Sequence, residues 1–324
     1  MKLPKLLLLA SVMSPMFAAP TYAVPYPSGV TLAEAQEITL NNGAEVTSID
    51  PAKQAAEPAF NLGRDLFEGL TIQDKQGKTI PGVAKSWSVN DNNTVYTFQL
   101  RDAKWSNGDN VTAQDFVYSW QRLLDPNTAS PYAWFAAIPN IQNSQAIMKG
   151  EATPQTLGVK ALDEKTFQVT LEKPIPFFVK LLSHPVLAPV HQATVEKYGS
   201  NWTQPKHIVT NGAFTVSEWK VNEKMVMVKN PYYWDASNVV LDKITWLPIG
   251  DANVVLNRYL AGEIDQVMSI PSAQKKKLIT KLPQEVADTS ASLGSTFYYL
   301  NTQQAQPKTC VFDKPYPMPL IARS

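Results

Sequence analysis

Apolar and polar residues alternate over residues 96–101, where Tyr96, Phe98 and Leu100 interleave with Thr97, Gln99 and Arg101. A period of two predicts a half-buried strand. Ser106-Asn107-Gly108-Asp109 then turns the chain. Thr112-Ala113-Gln114-Asp115 has the acceptor-and-acid spacing of a helix N-terminus. Phe116, Trp120, Leu123 and Leu124 follow at helical spacing, and Pro126 stops the helix. Phe167, Val169 and Leu171 predict a second strand, closed by Pro174 and Pro176. Val226 and Val228 lead to an Asn230-Pro231 turn, and Ile244 and Trp246 make a strand before Pro248. A helix is expected from about Ala252 to Leu260, ended by Gly262. A short strand should start at Ile264 and another should cover residues 297–300. Strands and helices mix throughout, which places the chain in the α/β class. Beyond Gln303, Pro307, Pro315, Pro317 and Pro319 break both periods and predict an irregular tail.

The start of the chain reads differently. Lys2 and Lys5 precede an apolar stretch that runs to Phe17, and Thr21-Tyr22-Ala23 supplies small residues where a signal peptidase would cut. The stretch is too short to span a bilayer, and Pro15 and Pro20 interrupt it. Residues 1–23 are therefore expected to be a cleaved export signal, with Val24 as the mature N-terminus. No Cys follows that position, so no lipid anchor is expected there.

The chain has 324 residues, 44% hydrophobic and 18% charged, the composition of an ordinary globular protein. Its formal net charge of +1 argues against a nucleic-acid partner. Lys275-Lys276-Lys277 is the densest basic cluster, and a solvated helix face accounts for it. Cys310 is the only cysteine, so no intrachain disulfide can form and the core alone must hold the fold.

Catalytic signatures are scarce. The three histidines are His184, His191 and His207; the first two are separated by Pro185 and Pro189 and cannot share a helical face as zinc ligands. Gly77-Lys78-Thr79 has the end of a phosphate loop, but Ile72 stands where its first Gly is needed. No Gly-x-Ser-x-Gly elbow occurs. The pattern favours a binding protein over an enzyme, with no metal and no cofactor.

One block is more specific. Ser48-Ile49-Asp50-Pro51-Ala52, Arg64-Asp65-Leu66-Phe67-Glu68-Gly69-Leu70 and Pro81-Gly82-Val83-Ala84-Lys85-Ser86-Trp87 lead into Ala103-Lys104-Trp105-Ser106-Asn107-Gly108-Asp109 and residues 111–122. Ser130-Pro131-Tyr132, Thr210-Asn211-Gly212-Ala213-Phe214, Asn230-Pro231-Tyr232-Tyr233-Trp234 and residues 258–265 continue it. Together these segments resemble the periplasmic oligopeptide-binding protein family, over roughly residues 24–303.

The resemblance implies a periplasmic binding protein-like α/β fold (type II), two-lobed, with a third lobe truncated. Residues 24–67 would begin lobe I, 68–191 would form lobe II, 192–293 would return to lobe I, and 294–324 would start lobe III and the atypical tail. It also implies a monomeric periplasmic clamp that captures short peptides and delivers them to an inner-membrane ABC permease, without catalysis. Its implied ligand contacts are Ala56, Glu57 and Pro58 as a pairing edge, Tyr132, Trp134 and Phe135 as cleft aromatics, His184 as a polar contact, and Asn211. Each has an alternative: Trp134 and Phe135 as packing, Glu57 as a plain surface acid, and Asn211-Gly212 as a turn leading into a strand.

Two departures stand out. Family members carry an acid where this chain has Ala55, and murein-peptide binders lack that acid, which keeps their ligand class open. Members also continue past residue 301 into a third lobe whose charged side chains bracket the peptide, and residues 304–324 do not resemble it. A shortened form is expected to bind weakly. Rival expectations are a murein-peptide binder, a binder of dipeptides, haem or metal chelates, a secreted hydrolase on the same scaffold, and a fragment without function.

Overall fold

In the computed structural model of the chain, residues 33–286 are described. The expected signal segment 1–23, the strand at 297–300, Cys310 and the tail 304–324 lie outside them. The chain divides after Ser272, so the helix α8 (Ser272–Lys281), whose Lys275, Lys276 and Lys277 are exposed, is described by itself.

Two four-stranded sheets organise the rest. One contains β1 (Glu37–Asn41), β8 (Phe214–Lys220), β9 (Lys224–Lys229) and β10 (Lys243–Leu247) in the order β1-β10-β9-β8, with β1 parallel to β10 and the other pairs antiparallel. The other, antiparallel throughout, contains β4 (Ala84–Val89), β5 (Val95–Leu100), β6 (Val159–Asp163) and β7 (Thr166–Thr170) in the order β4-β5-β7-β6. In sequence the second sheet lies wholly between β1 and β8. A hairpin of β2 (Thr71–Gln73) and β3 (Thr79–Pro81) precedes it. Gly77 takes a φ of +75° in that turn, where the Asp74 carboxylate accepts from the Lys78 N–H, so Gly77-Lys78-Thr79 is a hairpin and not a phosphate loop.

The inserted sheet forms where the alternation is cleanest. Buried and half-buried residues alternate along β5, and Phe98 faces Phe167 across the β5–β7 register. Helix α2 (Ala113–Leu124) lays Phe116 and Trp120 on Phe167, with ring centroids 5.6 and 5.1 Å away. Its start is a capping box: Thr112 accepts from the Asp115 N–H while the Asp115 carboxylate accepts from the Thr112 N–H. The remaining helices are α1 (Glu57–Leu66), α3 (Ala133–Ala137), α4 (Ser144–Met148), α5 (Phe178–Leu181), α6 (Gln192–Tyr198) and α7 (Ala252–Leu260).

The strand expected from Ile264 is a single bridge, between Gln266 and Leu40. The Asp265 carboxylate, rather than a backbone carbonyl, takes the Thr39 N–H at 2.6 Å, so the ladder goes no further.

Candidate functional site

Helix α1 begins at a rim and ends in the core. Ala56, in extended conformation with φ −145° and ψ 160°, is its N-cap, and Ala56 and Glu57 are exposed. Glu57, Phe60 and Arg64 recur at helical spacing, and Arg64 donates to Glu57 at 3.1 Å on the surface. Glu57 is therefore a surface acid with a cationic partner. One turn on from Phe60, Gly63 is packed so tightly that a Cβ there would lie 2.7 Å from the Gln54 amide and 3.1 Å from Pro185. This close approach draws Phe60 toward the loop that carries His184.

Phe60 meets two aromatic rings from the inserted segment. Its ring is 5.1 Å from Tyr132 and 4.6 Å from His184, both edge-on. Tyr132 stacks on His184 at 5.5 Å with 16° between the planes, and Phe135 lies 4.4 Å from the same imidazole. Trp134 packs on Tyr132 at 4.9 Å but keeps 50% of its surface exposed, much for so large an apolar ring. Four of the expected contacts, Tyr132, Trp134, Phe135 and His184, are thus one cluster. Sequence reasoning missed Phe60 and Arg64, whose helical spacing from Glu57 was the available signal.

Asn211 is placed elsewhere. It is buried, its Oδ1 accepts from the Glu68 N–H (3.1 Å), and its Nδ2 donates to the Glu68 carbonyl (2.9 Å). Its amide is committed to backbone just before β8, where it holds the turn leading into a strand.

Burial pulls the His184 imidazole down to about 4, with the Arg64 charge acting the same way and Glu57 opposing both. The Val186 N–H donates to Nδ1 at 3.3 Å, as suits a neutral ring. Because the folded value lies below the ordinary 6.5, the unfolded chain takes up the proton first as the pH drops. This contribution to stability is present above about 6.5 and should be lost as the pH falls toward 4. Thermal melts across that window should show a steeper fall for the native chain than for His184→Gln.

A cavity of ≈ 230 Å³ is lined by His184 and, among others, by Arg64, Glu68, Thr71, Gln73, Gly212 and Tyr233. The other histidines are apart from it: His191 contacts Asp109 (3.1 Å), and His207 stacks on Tyr198 (3.8 Å). No metal-holding group of His, Cys, Asp or Glu occurs among the described residues.

The family model of the bacterial extracellular solute-binding proteins, family 5 (middle), matches residues 78–315. The chain belongs to this family. It is 48% identical to the periplasmic murein peptide-binding protein MppA of Escherichia coli K12 over 285 residues, 88% of this chain and 52% of that protein. It is 47% identical to the periplasmic oligopeptide-binding protein OppA of Salmonella typhimurium LT2 over 304 residues, 93% of this chain and 56% of that protein. The structure of MppA in its unliganded open form superposes with a TM-score of 0.77 at 48% identity, covering 79% of this chain and 50% of that one. The chain thus spans about half the length of the relatives it matches. Its fold is the α/β fold of type II periplasmic binding proteins, and these relatives are periplasmic binding proteins rather than enzymes.

Proposed function

We propose that this protein is a periplasmic solute-binding protein that captures short peptides and presents them to an inner-membrane ABC importer. The observation that carries this reading is the half-exposed aromatic cluster beside the extended residue Ala56. The cluster offers a flat apolar platform for side chains, and the extended rim offers a strand-like edge for peptide backbone. Ala56, Glu57, Pro58, Tyr132, Trp134, Phe135 and His184 line the proposed contact face, with Arg64 added and the buried Phe60 packed on Tyr132 and His184. The two sheets would be the cores of two lobes, residues 68–191 forming the second. The proposed protein is exported by cleavage after Ala23, carries no lipid anchor, works as a monomer and turns over no substrate. A murein peptide is the second reading, favoured by an identity to MppA as high as that to OppA and by Ala55.

Calorimetric titration separates the two readings. The tripeptide Ala-Phe-Ala should bind if general peptides are the ligands, and binding confined to a murein tripeptide would favour the second. Trp134→Ala should weaken whichever ligand binds by roughly tenfold or more, the effect of truncating an aromatic anchor. Unchanged affinity in that variant would remove Trp134 from the contact face. Binding of neither peptide would sink the functional reading.

A further inference from the structure

The aromatic cluster is composite. Phe60 belongs to α1, which precedes the inserted sheet, whereas Tyr132, Phe135 and His184 belong to the insertion itself. The chain leaves for the insertion through residues 66–70 and comes back through residues 210–213. Any slip between these two crossing segments would move Phe60 against Tyr132 and His184.

The crossing segments are fastened at one point. The Gly212 N–H donates to the Leu66 carbonyl at 2.9 Å, and a Cβ on Gly212 would lie 2.6 Å from the Asp65 carbonyl oxygen, so the strands touch backbone to backbone. The Asn211 amide closes both hydrogen bonds of Glu68's backbone, at 3.1 and 2.9 Å. The Glu68 side chain is held as well: Tyr233 Oη donates to one oxygen and Trp234 Nε1 to the other, the latter at 2.8 Å. Arg101, at the end of β5, places its guanidinium 3.5 Å over the Trp234 ring and donates to the Gly82 carbonyl at 2.6 Å. Glu68 is thus tied to the returning segment, to the turn after β9 and, through Trp234, to the inserted sheet.

We propose that Glu68 and Asn211 are positioning residues of the aromatic site, holding the two crossing segments so that Phe60 stays packed on Tyr132 and His184. Glu68 is a costly residue to bury. Desolvation raises its carboxyl to about 7 even though Tyr233, Trp234 and Arg101 all favour the charged form, Asp235 adding a small opposing push. A Leu there would fill space without that penalty, but it could not accept two directed hydrogen bonds from separate segments.

The inference rests on the proposed peptide site only for its functional consequence, and the test separates the two. NMR titration of the His rings in the ligand-free full chain reads the packing directly. In Asn211→Ala the His184 midpoint should rise from about 4 toward 6.5, because the ring loses its burial against Phe60, while the ring signals of His191 and His207 keep their wild-type chemical shifts. A general loss of stability would not select one histidine. In parallel, Ala-Phe-Ala should bind the variant about tenfold more weakly by calorimetry. An unchanged His184 midpoint in a folded Asn211→Ala protein would overturn the proposal. A raised midpoint in the variant, with no binding of Ala-Phe-Ala to the wild type, would support the positioning role and count against the peptide reading. Should Asn211→Ala fail to fold, Glu68→Gln decides the matter. It leaves the Asn211 clamp intact but cannot accept both side-chain donors, and it should raise the same midpoint; no rise would overturn the proposal.

Discussion

Replacing Arg122 with alanine should destabilise the protein by about 3–5 kcal/mol, the cost of leaving a buried carboxylate without its cation. Asp50 is almost fully buried. Its Oδ1 accepts from Arg122 Nη1 at 2.9 Å and from the Ala52 N–H at 3.0 Å, and its Oδ2 accepts from Arg122 Nη2 at 2.5 Å and from Trp202 Nε1 at 3.2 Å. The bidentate pair joins the end of α2 to the turn before Gln54, and that turn leads to the rim of the candidate site. Arg122→Lys should recover only part of the loss, since an ammonium cannot present the planar fork. Urea unfolding checks both variants: the midpoint should fall with little change in slope. A midpoint within experimental scatter of the wild type would show that the pair contributes nothing to stability.

Phe178→Ala should cost a similar amount, about 3–5 kcal/mol, because the ring is fully buried and its removal leaves a cavity. Phe178 starts α5 and meets Tyr96 edge-on at 4.7 Å, with Phe98 at 6.4 Å, so it pins this short helix to β5. Four residues of helix cannot hold themselves in water, so packing must do it. The loop that follows carries His184. The same substitution should therefore let the imidazole titrate closer to 6.5, a change that NMR would detect alongside the lower urea midpoint. Stability lost with an unmoved His184 would mean that α5 does not position that ring.

Much of the fold was legible where a single face decides the pattern. β5 and β10 alternate buried with less buried residues, β7 does so from Phe167 on, and β9 does so with Met225 and Met227 buried rather than the Val226 and Val228 that marked it in the sequence, while α2 carries its stop and start signals in its own sequence. β8 was missed because a bulge between Val216 and Glu218 shifts its phase halfway along. β6 was missed because it pairs on one side only and exposes Leu162. The short helices α3, α4 and α5 have too few residues for a period to show.

The site divides in the same way. Tyr132, Trp134, Phe135 and His184 were named through a resemblance and prove to be one cluster, whereas Phe60 and Arg64 were not named, since a ring at helical spacing reads as core until its partners are known. Asn211, expected at the ligand or in a turn leading into a strand, has its amide bonded to the Glu68 backbone.

By itself the sequence determined the α/β class, the capped helix α2 and the strands β5, β7, β9 and β10, half of those in the two sheets, because each of these follows from neighbours within about ten residues. It could not determine which strands lie together. β1 pairs in parallel with β10 across some two hundred residues, and Phe60 meets His184 only because Gly63, Gln54 and Pro185 pack without a gap. Contacts of that range depend on shape complementarity between distant segments, and no local period encodes it. The tertiary structure alone therefore decided that Phe60 joins Tyr132, Trp134, Phe135 and His184 in one cluster, and that the Asn211 amide is bonded to the Glu68 backbone.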